Sequence, residues 1–128
     1  MGALVVIRDK TYNNYMNIII KKSLDVTPAL EEYIEKKLSP LEKLIEGFEV
    51  EGKVTLYFDI ARISNHHNKG EEIFSATAAI ELPRQGVRGE ATAPDARIAV
   101  DRVRDLLREE IEKYKAKHFD NYRNEKER

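Results

Sequence analysis

The chain has 128 residues, 41% of them apolar and 35% charged, with a formal net charge of −1 and no cysteine. That length fits one domain around a single core, and the missing thiols exclude disulfides, thiolate metal sites and cysteine nucleophiles. The near-neutral charge excludes a whole-molecule basic field, so nucleic-acid binding would have to come from local asymmetry, and no apolar run approaches the roughly 20 residues that span a bilayer.

Residues 1–15 look like an extension before a fresh start at Met16, where MNIIIKKS begins. The run ALVVI at 3–7 has no basic residue before it and is too short for a signal-peptide apolar region. Either Met16 is the initiator and the leader is foreign to the native protein, or residues 3–7 add an edge strand. Next, Ile18, Ile19 and Ile20 form a β-branched run within 17–22, which predicts a strand buried on both faces. Thr27 is a good N-cap, and Pro28 suits the first helical position, where its missing N–H costs nothing. Leu30, Ile34, Leu38, Leu41 and Ile45 then make one apolar stripe at helical spacing, running to about Glu46. Pro40 removes an N–H inside that stripe, yet the phase is kept across it, so one kinked helix is expected rather than two. Gly47 supplies a C-terminal cap.

Residues 53–63 alternate Val54, Leu56, Phe58 and Ile60 against Thr55, Tyr57, Asp59 and Ala61, which is a strand with one strongly apolar face. The polar stretch 64–72 reads as a loop, and 73–82 as the next strand. Residues 83–86 make a turn of hairpin length. The short strand 87–92 contains Gly89, which marks a bulge or a close backbone approach. Asp95, after Pro94, is a plausible N-cap. Ala96, Ala99, Val100, Val103, Leu107, Ile111 and Tyr114 define the buried face of a second helix. Periodicity ends after about Lys117, so 118–128 is expected to be a flexible tail. The domain proper is therefore 16–117, of α+β class, in the order β-α-β-β-β-α, with a four-stranded sheet and two helices on one face.

The charges are segregated on the helices, at about 100° per residue. On the second helix, Arg97, Arg104, Arg108 and Lys115 fall at one border of the apolar face, and Arg102, Lys113 and Lys117 at the other. Asp101, Asp105, Glu109 and Glu112 lie between them. On the first helix, Lys36, Lys37 and Lys43 take one flank, and Glu31, Glu35, Glu42 and Glu46 the other. Lys21 and Lys22 end the first strand close by. Such stripes are usually solvated faces held by local ion pairs, here Asp101–Arg104 and Asp105–Arg108. Their functional alternative is a basic surface for RNA phosphates.

Little else carries chemistry. His66 and His67 are adjacent in a loop without a third ligand nearby, and His118 is isolated. There is no phosphate-cradling Gly-rich loop, GxSxG or HExxH. The carboxylate pairs Glu71–Glu72 and Glu109–Glu110 fit solvated positions better than acid–base catalysis. Tyr57 would stack on a base only if its sheet face were open, and packing is the simpler role. No enzyme activity and no cofactor are indicated.

Three stretches carry a resemblance: MNIIIKKSLDVTPALEEYIEKKLSPLEKLI at 16–45, HHNKGEEIFSATAAIELP at 66–83, and DARIAVDRVRDLLREEIEKYK at 95–115. Together they resemble the ribosome hibernation-promoting factors, also known as ribosome-associated inhibitors or sigma-54 modulation proteins. The resemblance implies a double-stranded-RNA-binding-domain-like fold. It also implies a cytoplasmic factor docked on 16S ribosomal RNA of the small ribosomal subunit, where mRNA and tRNA would sit in the A and P sites, blocking translation under stress. No membrane or small-molecule partner is implied, and the chain resembles the short form. Lys37 and Lys43 match basic positions of the family's first helix, and Lys113, Lys115 and Lys117 the basic end of its second. The family's DMYAAID is DARIAVD here, so Arg97 replaces the usual aromatic. Leu106 and Glu109 replace commonly basic residues, and Pro40 a common lysine. With these changes, the charge moves to Arg97, Arg104 and Arg108. The RNA-binding set expected is thus Lys22, Lys37, Lys43, Arg97, Arg104, Arg108, Lys113, Lys115 and Lys117. A protein-interaction module of the same fold, without ribosome binding, is the alternative.

Overall fold

The computed structural model describes residues 4–7, 16–21, 26–45, 54–64, 72–82 and 85–126. Five strands form one sheet in chain order: β1 (Leu4–Ile7), β2 (Met16–Lys21), β3 (Val54–Ser64), β4 (Glu72–Glu81) and β5 (Gly86–Ala93). β2 and β3 are parallel, as a helical crossover between them requires; the other neighbours are antiparallel. The helices are α1 (Pro28–Leu38), the single turn α2 (Glu42–Ile45) and the long α3 (Ala96–Lys126). The β-α-β-β-β-α order therefore stands, and β1 adds a fifth strand by pairing Leu4 with Lys21 through Ile7 with Ile18.

The helices cover one face of the sheet only. Ile18 and Ile20 are buried beneath them while Ile19, between the two, is half-buried. The isoleucine run is thus not covered on both sides among the described residues, none of which forms a second layer over the other face. On the covered face Leu56, Phe58, Ile60, Ala76, Ala78 and Ile80 meet Ile34, Leu38, Val103, Leu107 and Ile111 in one core. On the open face Tyr57 and Ile63 are 48% and 44% exposed. A shallow depression there is lined by Ile19, Lys21, Tyr57, Asp59, Thr77, Ala79 and Arg88.

Local chemistry sets the helix boundaries. Thr27 caps α1, its hydroxyl accepting from the Leu30 N–H at 3.1 Å, with Pro28 in the first turn. The stripe survives Pro40 by a change of pitch: Ser39–Leu41 tightens into a 3-10 turn, and α2 resumes at once. Proline has no N–H to donate to the preceding turn, so the chain takes the tighter hydrogen-bonding pattern there. Glu42, expected on a solvated flank, is only 6% exposed, and its carboxylate accepts from the Met16 N–H at 3.1 Å. It ties the start of β2 to α2. Gly47, His66, His67, Pro83 and Arg84 lie outside the described residues.

Gly89 sits in an unbroken ladder, opposite Ala78, so there is no bulge. The close approach is what it serves: a Cβ there would lie 3.2 Å from Leu106 Cβ and 3.4 Å from the Val103 carbonyl oxygen. Asp95 caps α3, accepting from the Arg97 N–H at 2.7 Å. The helix does not stop near Lys117 but continues as helical backbone to Lys126. Loss of apolar periodicity there does not mark the end of the helix, and Tyr114 is the last core residue among the described ones.

Candidate nucleic-acid interface

The basic residues of greatest interest meet where α1 packs beside α3, and Tyr33 organises them. It stands beside the apolar stripe of α1, half-buried, with Lys37 one turn later. Its hydroxyl donates to Asp101 Oδ1 on α3 at 2.8 Å. The Lys37 ammonium lies 5.4 Å from the ring centroid and the Arg97 guanidinium 5.3 Å from it, within cation–π range. Burial, then the hydrogen bond to Asp101 and its negative charge, hold the Tyr33 phenol above its ordinary value, against the opposing pull of Arg104 and Arg97. The ring thus joins residues far apart in the chain into one cluster, and the border of α3 carrying Arg97, Asp101 and Arg104 faces α1.

Ion pairing differs from the two pairs expected from sequence, Asp101–Arg104 and Asp105–Arg108. Arg104 pairs with its neighbour Asp105 at 2.9 Å, Arg108 with Glu112 at 3.8 Å, and Lys113 with Glu110 at 3.5 Å. Asp101 serves Tyr33 and not Arg104. Lys37 and Arg97 are held by the π face of Tyr33 and by no carboxylate among the described residues. A cation–π contact positions a cation without cancelling its formal charge, so both residues keep their positive charge.

The opposite border of α3 faces β5. Arg102 donates to the Thr92 carbonyl there at 2.7 Å, and Leu106 packs against Gly89. Among the described residues no cluster of three or more His, Asp or Glu is placed to hold a metal ion, and no helix is long and apolar enough to cross a membrane.

The family profile described as sigma 54 modulation protein / S30EA ribosomal protein matches residues 18–118. The chain belongs to this family. One relative, a ribosome hibernation promotion factor of Deinococcus radiodurans, is 26% identical over 98 residues, which is 77% of this chain and 48% of the relative. The chain therefore spans about half the length of the curated relative it matches. Two solved structures share the fold. The N-terminal domain of Protein Y from Thermus thermophilus has a TM-score of 0.57 at 24% identity, covering 80% of this chain and 99% of that one. A ribosomal subunit interface protein from Coxiella burnetii has a TM-score of 0.52 at 24% identity, covering 79% and 97%.

Within this member of the family, the nine basic residues singled out in the sequence do not form one patch. Lys37, Arg97 and Arg104 converge around Tyr33, and by helical spacing Arg108 and Lys115 continue the same border of α3. Lys113 and Lys117 lie on the border shared with Arg102. Lys43 is exposed on α2, with no contact linking it to the cluster among the described residues. Lys22 lies outside the described residues. Sequence reasoning missed Tyr33 and the role of Asp101. The spacing of Tyr33 and Lys37 at i,i+4 was a usable signal for the first; nothing local pointed to the pairing across helices.

Proposed function

We propose that the chain is a non-enzymatic ribosome hibernation factor of the cytoplasm, needing no cofactor. Its α1–α3 face docks on 16S ribosomal RNA of the small subunit, in the decoding channel where mRNA and tRNA would sit. Occupying that channel blocks translation sterically, and Lys/Arg–phosphate contacts hold the protein there. The observation that carries this is the convergence of Lys37, Arg97 and Arg104 at the helix junction. Family membership and the name of the Deinococcus relative support it.

Phosphate contacts release counterions, so occupancy should fall steeply with salt. Co-sedimentation with 30S and 70S particles across a salt series tests this. Pelleting at low salt that disappears at high salt is expected, and no pelleting at low salt would sink the proposal. A second reading, a protein-interaction module, draws on the open sheet face, where Tyr57 and Ile63 are exposed beside balanced charges. Such a module would show a salt-insensitive partner and leave ribosomal RNA unprotected in footprinting.

A further inference from the structure

The α3 border facing α1 contains a carboxylate that ought to work against phosphate binding. Asp101 lies four residues after Arg97 and three before Arg104, both at spacings that favour ion pairs on a helix. Neither arginine pairs with it among the described residues. Its Oδ1 instead accepts from the Tyr33 hydroxyl of the neighbouring helix at 2.8 Å. The ring of the same tyrosine carries Lys37 and Arg97 at 5.4 and 5.3 Å.

We propose that Tyr33 is the positioning residue of the RNA-binding face: its hydroxyl occupies Asp101 and its ring holds Lys37 and Arg97, so both cations meet RNA phosphates unneutralised. The inference rests on the ribosome-binding reading above and adds a device to it. A neutral hydroxyl engages the carboxylate without cancelling any positive charge. Without the hydroxyl, Asp101 turns to Arg97, since Arg104 is already paired with Asp105, and the face engages about one phosphate fewer. The ring alone, as phenylalanine, still stacks on the cations but no longer restrains the acid.

Four proteins test this: wild type, Tyr33→Phe, Asp101→Asn, and the double variant. Each is titrated against 70S ribosomes and, separately, against a short RNA duplex, over a salt series. Tyr33→Phe should bind about threefold more weakly at low salt, the scale of one exposed ion pair. Its log–log salt slope should drop by about 0.7 to 0.9, the equivalent of one phosphate. Asp101→Asn should bind at least as well as wild type. The double variant should recover the Asp101→Asn affinity and slope, because asparagine has no charge to neutralise the arginines. Such rescue is not expected if Tyr33 only supports packing.

Unchanged affinity and slope in Tyr33→Phe would overturn the proposal, as would a weakening that Asp101→Asn fails to rescue. If wild type ignores ribosomes but the series behaves as expected on the RNA duplex, the ribosome reading fails and the role of Tyr33 stands. If wild type binds neither, both fail.

Discussion

Tyr33 shows how one side chain does several things by having chemically distinct parts. Its ring face attracts cations, its hydroxyl donates to a carboxylate, and its body fills the seam between helices. The raised phenol has a consequence for pH. A folded-state value above the unfolded one, about 10 for tyrosine, means that the native state holds the proton more tightly. The associated stability is fully present below the unfolded value and is lost as pH rises through the higher folded value. Following phenolate absorbance, the Tyr33 transition should lie above the ordinary tyrosine value, and it should vanish in Tyr33→Phe. If the high transition persists in the variant, it belongs to another tyrosine and not to Tyr33. Glu42 is the second residue whose role is tertiary. Its pattern position resembles that of the other helix-flank glutamates, yet it is buried because it answers a backbone N–H at the start of β2.

The element that sets the geometry of the helix face is the contact between α3 and β5. Gly89 lets the helix backbone come close enough for Val103 and Leu107 to enter the core. A larger, branched side chain there would meet the Val103 carbonyl, a backbone atom that moves only with the helix. Gly89→Val should therefore destabilise the fold by about 1–3 kcal/mol, as overpacking does, seen as a lower urea midpoint with an unchanged slope. A variant of wild-type stability would mean that α3 can lift off β5 at no cost. Pro40 acts at the same scale. It changes the pitch of one turn without shifting Leu41 and Ile45 out of the buried stripe.

At the scale of the molecule, charge is distributed by border and not by total. The α1-facing border has cations held by an aromatic ring; the β5-facing border has Arg102 on a backbone carbonyl and Lys113 on Glu110. Reversing Lys37 and Arg97 together to glutamate should weaken ribosome binding at least tenfold. It should also flatten the log–log salt slope by about 0.7 to 0.9 for each phosphate the face no longer neutralises. Reversing Lys113 and Lys117 should cost much less. A glutamate at 97 falls in the first turn of α3, where acidic residues suit the helix dipole, so the fold should survive. Equal weakening from the two pairs, measured by co-sedimentation, would show that binding follows net charge and not this face.

The order of elements, the helix stripe across Pro40 and the Asp95 and Thr27 caps were legible in the chain, and Gly89 was legible as either a bulge or a close approach. Each depends on neighbours within a few residues or on a simple period. The sheet edge at β1 was legible only as one of two readings of the leader. What the chain could not reveal is which basic residues stand together in space. Arg97 and Lys37 are each unremarkable on their own helix, and Asp101 reads as the natural partner of Arg104. The crossing of α1 and α3 decides otherwise, because it brings a tyrosine from one helix against an acid and a cation from the other. Among the described residues the same packing leaves one sheet face open, and so gives Ile19 an environment that local pattern alone did not foretell.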